Sequence, residues 1–311
     1  MRWVKWILLA MVAAILIAAP HFTRRYTVFI LYLVYVNTSL AQSWNLLGGY
    51  TGLVSLGHAA FFGLGAYATA MFITQLNVPF FFAAIAGGLV ASAFSCVVSI
   101  PTFRFRGIYF AIGTLVVSEA LRIWMINWEF TGGAQGVHLP PGSGPSLSGF
   151  YYIMLAIAAG TTAFLSYVLR TKLGLGLRAI RDNEDSAQNM GVNTFRTKLY
   201  AFLMSAFIAG LTGGIHATKM STIEPYSIFS AAWTFAAINI VIIGGMGTVF
   251  GPILGAVFIT YLSDRLAEYH TFHLLITGGI LILVIRFVPT GIWGQIRKMH
   301  VTEKINRFLK S

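Results

Sequence analysis

The chain has 311 residues, of which 57% are hydrophobic and only 10% charged, whereas soluble domains carry about 25% charged residues. This composition excludes an ordinary soluble protein and predicts an all-α, polytopic membrane protein with one domain over residues 1–311. The formal net charge of +12 does not indicate nucleic-acid binding, because most cations flank apolar segments, where they fix membrane topology.

About ten apolar runs approach the length of roughly 20 residues that a membrane-spanning helix needs. The first begins with basic residues and resembles a secretory signal, but the chain stays apolar beyond Arg25, so we interpret it as a retained helix. The predicted spans are Trp3–Pro20, Tyr26–Leu47, His58–Thr74, Phe80–Ile100, Gly107–Asn127, Gly149–Leu169, Leu199–Thr218, Ile228–Gly244, Gly251–Arg265 and Phe272–Val288.

Two uncharged, glycine-rich segments separate predicted spans, one between Gly48 and Gly57 and the other between Gly244 and Gly251. Non-helical backbone at membrane depth is tolerated only where protein or a water-filled cavity covers it. Each segment is therefore either a broken or re-entrant piece or a tight turn between helices.

The distribution of cations predicts the orientation of the chain. With ten spans, a cytoplasmic amino terminus places residues 170–198 and the basic tail, about residues 290–311, on the cytoplasmic side. Arg24, Arg25 and Lys219 are then the cations outside. The excess of cations inside indicates that both termini are cytoplasmic.

Residues 170–198 form the one long stretch of mixed charge between apolar runs. Leu177, Ile180, Ala187 and Met190 recur near helical spacing, which predicts a short surface helix that ends at Gly191. The residues alone leave two interpretations open, a solvated connection between helix bundles or a docking helix for a soluble partner.

Two polar positions inside apolar runs are candidates for function. Glu119 is the only carboxylate well inside a predicted span, and Arg122 lies one turn on, so the two side chains can pair. Such a pair is either functional or a self-satisfied structural contact. His58 opens a span after Ser55 and either contacts a polar pathway or serves as a helix cap or core residue.

Motifs for enzymatic chemistry are missing from the sequence. It contains no G-x-x-x-x-G-K-[ST], G-x-S-x-G or H-E-x-x-H pattern, and its histidines show no metal-binding pattern. We therefore expect no catalytic residues, no metal site and no cofactor bound by this chain.

Five blocks carry a resemblance to a known family. In chain order they are GYTGLVSLGHAAFFGLGAYATA (Gly49–Ala70), GIYFAIGTLVVSEALR (Gly107–Arg122), TGGAQG (Thr131–Gly136), GLGLRAIRDNEDSAQNMGV (Gly174–Val192) and GGMGTVFGPILGAVF (Gly244–Phe258). Together they resemble the permease subunits of bacterial branched-chain amino acid ABC transporters, the M-type more closely than the H-type. The resemblance covers nearly the whole chain.

The resemblance implies a subunit of an importer in the bacterial inner membrane. Its implied partners are a periplasmic substrate-binding protein, a second, H-type permease that completes the pore, and two cytoplasmic ATPase subunits that bind the ATP. Import permeases share an E-A-A-x-x-x-G pattern that docks on the ATPase. Asp185–Gly191 is similar to it, with Asp in place of Glu and Ser in place of the first Ala, which favours a cytoplasmic coupling helix.

The resemblance also suggests two sets of site residues. The ATPase-coupling set is Arg178, Arg181, Asp182, Glu184, Asp185, Ala187, Met190 and Gly191, with Ala187 and Met190 expected to pack into a cleft of the ATPase. The candidate pathway set is Ser55, His58, Thr114 and Glu119.

Three alternatives stay open. The first is an importer of the same class for urea, short amides or aromatic acids. The second, a secondary transporter, is expected to have more intramembrane ionisable groups than Glu119. The third, a membrane-embedded enzyme, requires a cluster of histidines or carboxylates.

Overall fold

Among the described residues, the long apolar runs form helices that end near glycine, proline or charged positions. The computed structural model describes residues 14–266 and 290–297, together with positions 11, 276, 278, 279, 282, 283, 286 and 287. The elements are α1 (Arg25–Gly48), α2 (His58–Leu76), α3 (Phe80–Thr102), α4 (Ile108–Asn127), β1 (Val137–His138), α5 (Leu147–Val168), α6 (Lys172–Asp182), α7 (Glu184–Asn189), α8 (Thr194–Met220), β2 (Thr222–Ile223), α9 (Pro225–Ile228), α10 (Ala231–Gly244) and α11 (Gly251–Leu266). Residues 14–22 and 291–297 are also helical.

Within the described residues, six helical segments are long and apolar enough to cross a membrane. These six agree with predicted spans to within about five residues, and the all-α, multi-pass membrane fold is confirmed. The predicted spans Trp3–Pro20 and Phe272–Val288, and the tail beyond residue 297, lie in large part outside the described residues. The six segments are His58–Leu76, Phe80–Thr102, Ile108–Asn127, Leu147–Val168, Thr194–Met220 and Pro225–Gly244.

Two further helices, α1 and α11, cover the predicted spans Tyr26–Leu47 and Gly251–Arg265. The second half of α1 is buried and carries polar side chains, including those of Gln42, Ser43 and Asn45. Buried polar groups need hydrogen-bond partners. The side chains of Gln42 and Asn45 donate to carbonyl oxygens more than 200 residues away, and the carbonyl oxygen of Ser43 accepts from the distant Ser205 hydroxyl. These polar contacts make α1 a connecting element in the interior of the bundle.

The 27-residue helix α8 lies at the centre of the bundle and packs against α1, α2 and α3. Small residues allow the helices to approach closely. A Cβ atom built at Gly65 on α2 would lie 2.1 Å from the carbonyl oxygen of Gly210 on α8. The contact between α2 and α8 therefore depends on glycine at position 65.

We expect Gly65→Ala to destabilise the protein, because the new methyl group meets backbone that cannot move without separating α2 from α8. Overpacking of this kind costs about 1–3 kcal/mol. Gly160→Ala on α5 is the matched control, since a Cβ atom there meets nothing within 4 Å. Thermal unfolding of the purified variants should show a lower midpoint for the first substitution only, and equal midpoints would contradict this account of the packing.

One short sheet departs from the all-helical prediction. Strands β1 and β2 pair antiparallel, with Val137 opposite Ile223 and His138 opposite Thr222. These pairs join the loop between α4 and α5 to the chain that follows α8. Strands of two residues are too short for an alternating pattern to show in the sequence.

Candidate functional site

The charged segment 170–198 contains two short helices, α6 and α7, and the start of α8. The single helix predicted over 177–190 is wrong. The chain is extended at Asn183, with φ −161° and ψ 115°, and this break separates α6 from α7. The Asn183 side chain accepts a hydrogen bond of 2.8 Å from the Ser186 amide and so caps α7. The predicted stop at Gly191 is confirmed, because the residue has φ +87° just past the helix.

The apolar side chains of α6 and α7 pack against the helix bundle. Leu177, Ile180 and Ala187 are buried, with Ala187 fully inaccessible. The predicted insertion of Ala187 into a partner's cleft therefore needs correction, because this side chain packs within its own chain. Met190 is 74% exposed, and it is the apolar member of the coupling set that a partner can reach.

The polar side of the segment is mostly exposed, and some of its residues also form contacts with the rest of the chain. Arg178 and Asp182 are exposed on α6. Asp185 forms an ion pair of 3.0 Å with Arg106, which precedes α4, and this hydrogen-bonded contact raises the pKa of the Arg106 guanidinium. Arg178 and Asp182 are therefore open to a partner. Asp185 is also exposed, at 66% of its side chain, and its ion pair links α7 to the residue two positions before α4.

A second ion pair joins α7 to the central helix. The Glu184 carboxylate accepts a hydrogen bond from the Lys198 ammonium group, and the Lys198 side chain is only 5% exposed. Because a buried charge needs a partner, this contact fixes α7 against the start of α8.

Arg181 links the charged segment to both glycine-rich connections. Its Nη1 donates a hydrogen bond of 2.7 Å to the carbonyl oxygen of Gly49, directly after α1. Gly247 lies beside the same nitrogen, with φ +72°, and a Cβ atom there would come within 2.6 Å of Nη1. Only glycine combines this backbone conformation with this approach.

Asn45, near the end of α1, binds the second glycine-rich connection. Its Nδ2 donates to the Thr248 carbonyl oxygen at 2.9 Å, and its Oδ1 accepts from the Gly247 amide at 2.9 Å. Both connections, residues 49–57 and 245–250, are non-helical. Segments from three parts of the chain therefore meet at Arg181 and Asn45.

Three of the four candidate pathway residues lie together at the start of α2. The Thr114 hydroxyl accepts from the Leu56 amide at 3.0 Å, and the Ser55 hydroxyl accepts from the Gly57 amide at 3.2 Å. All three side chains, including that of His58, are buried. In this conformation Ser55 and Thr114 satisfy the backbone of the break and do not line an open channel.

His58 contacts the central helix through one nitrogen. Its Nε2 lies 2.9 Å from the Ser205 hydroxyl, which itself donates to the Ser43 carbonyl oxygen at 2.7 Å. Because the only hydrogen of Ser205 is used in that bond, its oxygen accepts from His58, and Nε2 carries the proton. Nδ1 has no hydrogen-bond partner among the described residues.

Glu119, the fourth candidate pathway residue, lies apart from this group. The predicted pair with Arg122 is confirmed, because Nε and Nη2 of Arg122 lie 2.8 and 2.6 Å from Oε2 of Glu119. The two side chains are 37% and 31% exposed. The pair therefore lies at the surface of the subunit, within a span.

Sequence reasoning missed Asn45, Ser205 and Gly247. Their hydrogen-bond partners are 147 to 203 residues away, so no local pattern indicates them. The cap at Asn183 did have a signal, since asparagine followed by two acidic residues is typical of a helix start. Among the described residues, no group of three or more His, Cys, Asp or Glu side chains could hold a metal ion.

Comparisons with known proteins identify the family of the chain. The family described as "Branched-chain amino acid transport system / permease component" matches residues 26–285. The chain belongs to this family. The resemblance seen in the five sequence blocks is thereby confirmed.

Named relatives of this permease family place the chain among transport proteins. It is similar to the high-affinity branched-chain amino acid transport system permease protein LivM of Escherichia coli (strain K12), at 28% identity over 90% of this chain and 73% of LivM. LivH of Salmonella typhimurium is 23% identical over 82% of this chain and 90% of LivH. The xylose transport system permease protein XylH of Haemophilus influenzae is 30% identical over only 44% of this chain. No solved structure matches the chain.

Proposed function

We propose that the chain is the membrane-spanning permease subunit of a bacterial ABC importer and forms half of the pathway for branched-chain amino acids. The family match and the names of the LivM and LivH relatives support this substrate class. The similarity to the xylose permease covers less than half of the chain and supports a sugar less well. The proposed assembly contains a second, H-type permease, two ATPase subunits that bind ATP, and a periplasmic binding protein.

The contact of Arg181 with Gly49 is the observation that carries the proposal. Exposed charges on α6 and the exposed Met190 give a soluble ATPase a surface to bind. Arg181, on the same segment, touches both glycine-rich connections of the bundle. A movement of α6 and α7 is therefore passed to the ends of α1 and α10 as a rigid-body displacement.

The proposed orientation follows from the cations. The ten-span topology places α6, α7 and both termini in the cytoplasm of a bacterium, in its inner membrane. The excess of lysine and arginine in residues 170–198 supports this side. Within this arrangement α7, which contains most of the Asp185–Gly191 pattern, is the coupling helix.

The proposal predicts the composition of the purified complex. Extraction of the native membrane with a mild detergent, followed by mass spectrometry, should recover two ATPase subunits and a second permease with this chain. Recovery of the chain alone or as a homo-oligomer, at low and high salt, would contradict the proposal and favour a secondary transporter.

A further inference from the structure

The ion pair between Glu119 and Arg122 lies deep within a membrane-spanning helix. Glu119 is eight residues before Asn127, the last residue of α4, which places it about 12 Å from that end at 1.5 Å per residue. It is eleven residues from Ile108, about 16 Å from the other end. The Glu119 carboxylate therefore cannot reach the aqueous phase by extending past the end of the helix, because its side chain is much shorter than 12 Å.

Glu119 lies on the face of α4 that points away from the bundle. One stripe of α4 is buried against the bundle and includes Thr114, Ser118 and Leu121. The opposite face exposes apolar side chains, which are 48% exposed at Ile112, 59% at Val116 and 56% at Ile123. Glu119 lies three residues after Val116 and four before Ile123, so it shares this outward face.

The pair uses only part of its hydrogen-bonding capacity. Both contacts with Arg122 end at Oε2 of Glu119. Among the described residues, Oε1 of Glu119 and Nη1 of Arg122 make no hydrogen bond. The guanidinium carbon lies 6.0 Å from the centre of the Tyr226 ring, at the limit of a cation–π contact.

Lipid cannot satisfy these atoms. Charged groups within spans almost always face a water-filled cavity or the interior of an assembly. The outward face of α4 must therefore face such a space in the membrane. In the assembled importer, the space bounded by two permeases is the pathway.

We infer that Glu119 and Arg122 form a transit site for a zwitterionic, aliphatic amino acid, an inference that rests on the proposed function. Oε1 of Glu119 binds the α-ammonium group, and Arg122 binds the α-carboxylate. Val116 and Ile123, on the same face, contact the aliphatic side chain. The two residues bind each other when the substrate is absent. Because the substrate must displace this ion pair, its own binding is weak enough for the substrate to be released.

The test is uptake of L-leucine by the complete importer in liposomes, with its binding protein outside and ATP inside. The variants are Glu119→Gln, Arg122→Gln and the double variant Glu119→Gln/Arg122→Gln. Each single variant leaves one unpaired charge, whereas the double variant removes both charges and keeps two side chains that can hydrogen-bond to each other. Recovery of the complex and ATPase stimulation by the binding protein are measured in parallel.

We expect uptake to fall at least tenfold in all three variants, with complex recovery and stimulated ATPase activity at the wild-type level. A double variant that returns to wild-type uptake would show that the pair is only structural and would overturn the site. Loss of the second permease or of the folded chain from the double variant would also overturn it, because the pair would then serve assembly or folding. Absence of ATP-dependent uptake in the wild-type complex would instead refute the proposed function itself.

Discussion

Replacing Arg181 with alanine should lower ATP-driven amino acid uptake about tenfold or more while the chain remains in the membrane. The substitution removes the hydrogen bond to the Gly49 carbonyl oxygen and the contact with Gly247. A hydrogen bond from a charged donor contributes about 1.5–3 kcal/mol, and each 1.4 kcal/mol corresponds to about a tenfold change in rate. We expect a contribution at the lower end of this range of free energies, because Arg181 is exposed to solvent.

The measurement is the ratio of amino acid transported to ATP hydrolysed in reconstituted liposomes. If the charged segment drives the glycine-rich connections through Arg181, ATP hydrolysis should continue while transport falls. Lys172→Ala is the matched control, since it removes one exposed cation from the same helix. Equal transport ratios in the two variants would refute this role of Arg181.

The second large effect concerns Met190 and Ala187, the two apolar residues of the predicted coupling set, for which we expect different consequences of substitution. We expect Met190→Glu to leave the fold intact, because the side chain is 74% exposed, and to weaken binding of the ATPase at least tenfold. We expect Ala187→Leu to reduce the amount of folded protein, because Ala187 is fully buried and overpacking costs about 1–3 kcal/mol.

Two readouts distinguish these outcomes, namely the quantity of the chain in the membrane and the quantity of ATPase that co-purifies with it. Met190→Leu, which keeps an apolar side chain, should behave as the wild type in both. A Met190→Glu protein that retains its ATPase would remove Met190 from the coupling surface. Normal yields of Ala187→Leu would contradict its buried position.

Much of the fold follows from local features of the sequence. Six spans were predicted to within about five residues, because an apolar run of sufficient length is itself the condition for crossing a bilayer. The helix end at Gly191 and the ion pair of Glu119 with Arg122 were also predicted correctly, because each depends on residues within about one helical turn of each other. The family was also evident from sequence blocks alone.

The tertiary structure decided what the charged segment touches. The spacing of Ala187 and Met190 allows both to face a partner, but only the folded chain shows that Ala187 faces inward and Met190 outward. Arg181 reaches Gly49 across 132 residues, a separation at which no periodic pattern carries information.

Local rules thus determined which segments are helices and where they end, since each condition concerns neighbouring residues. Long-range packing determined which polar groups meet, because buried donors and acceptors must be satisfied by whatever segment the fold brings to them. Long-range packing brings Asn45, Gly247 and Arg181 together, and the sequence by itself did not reveal this part of the site.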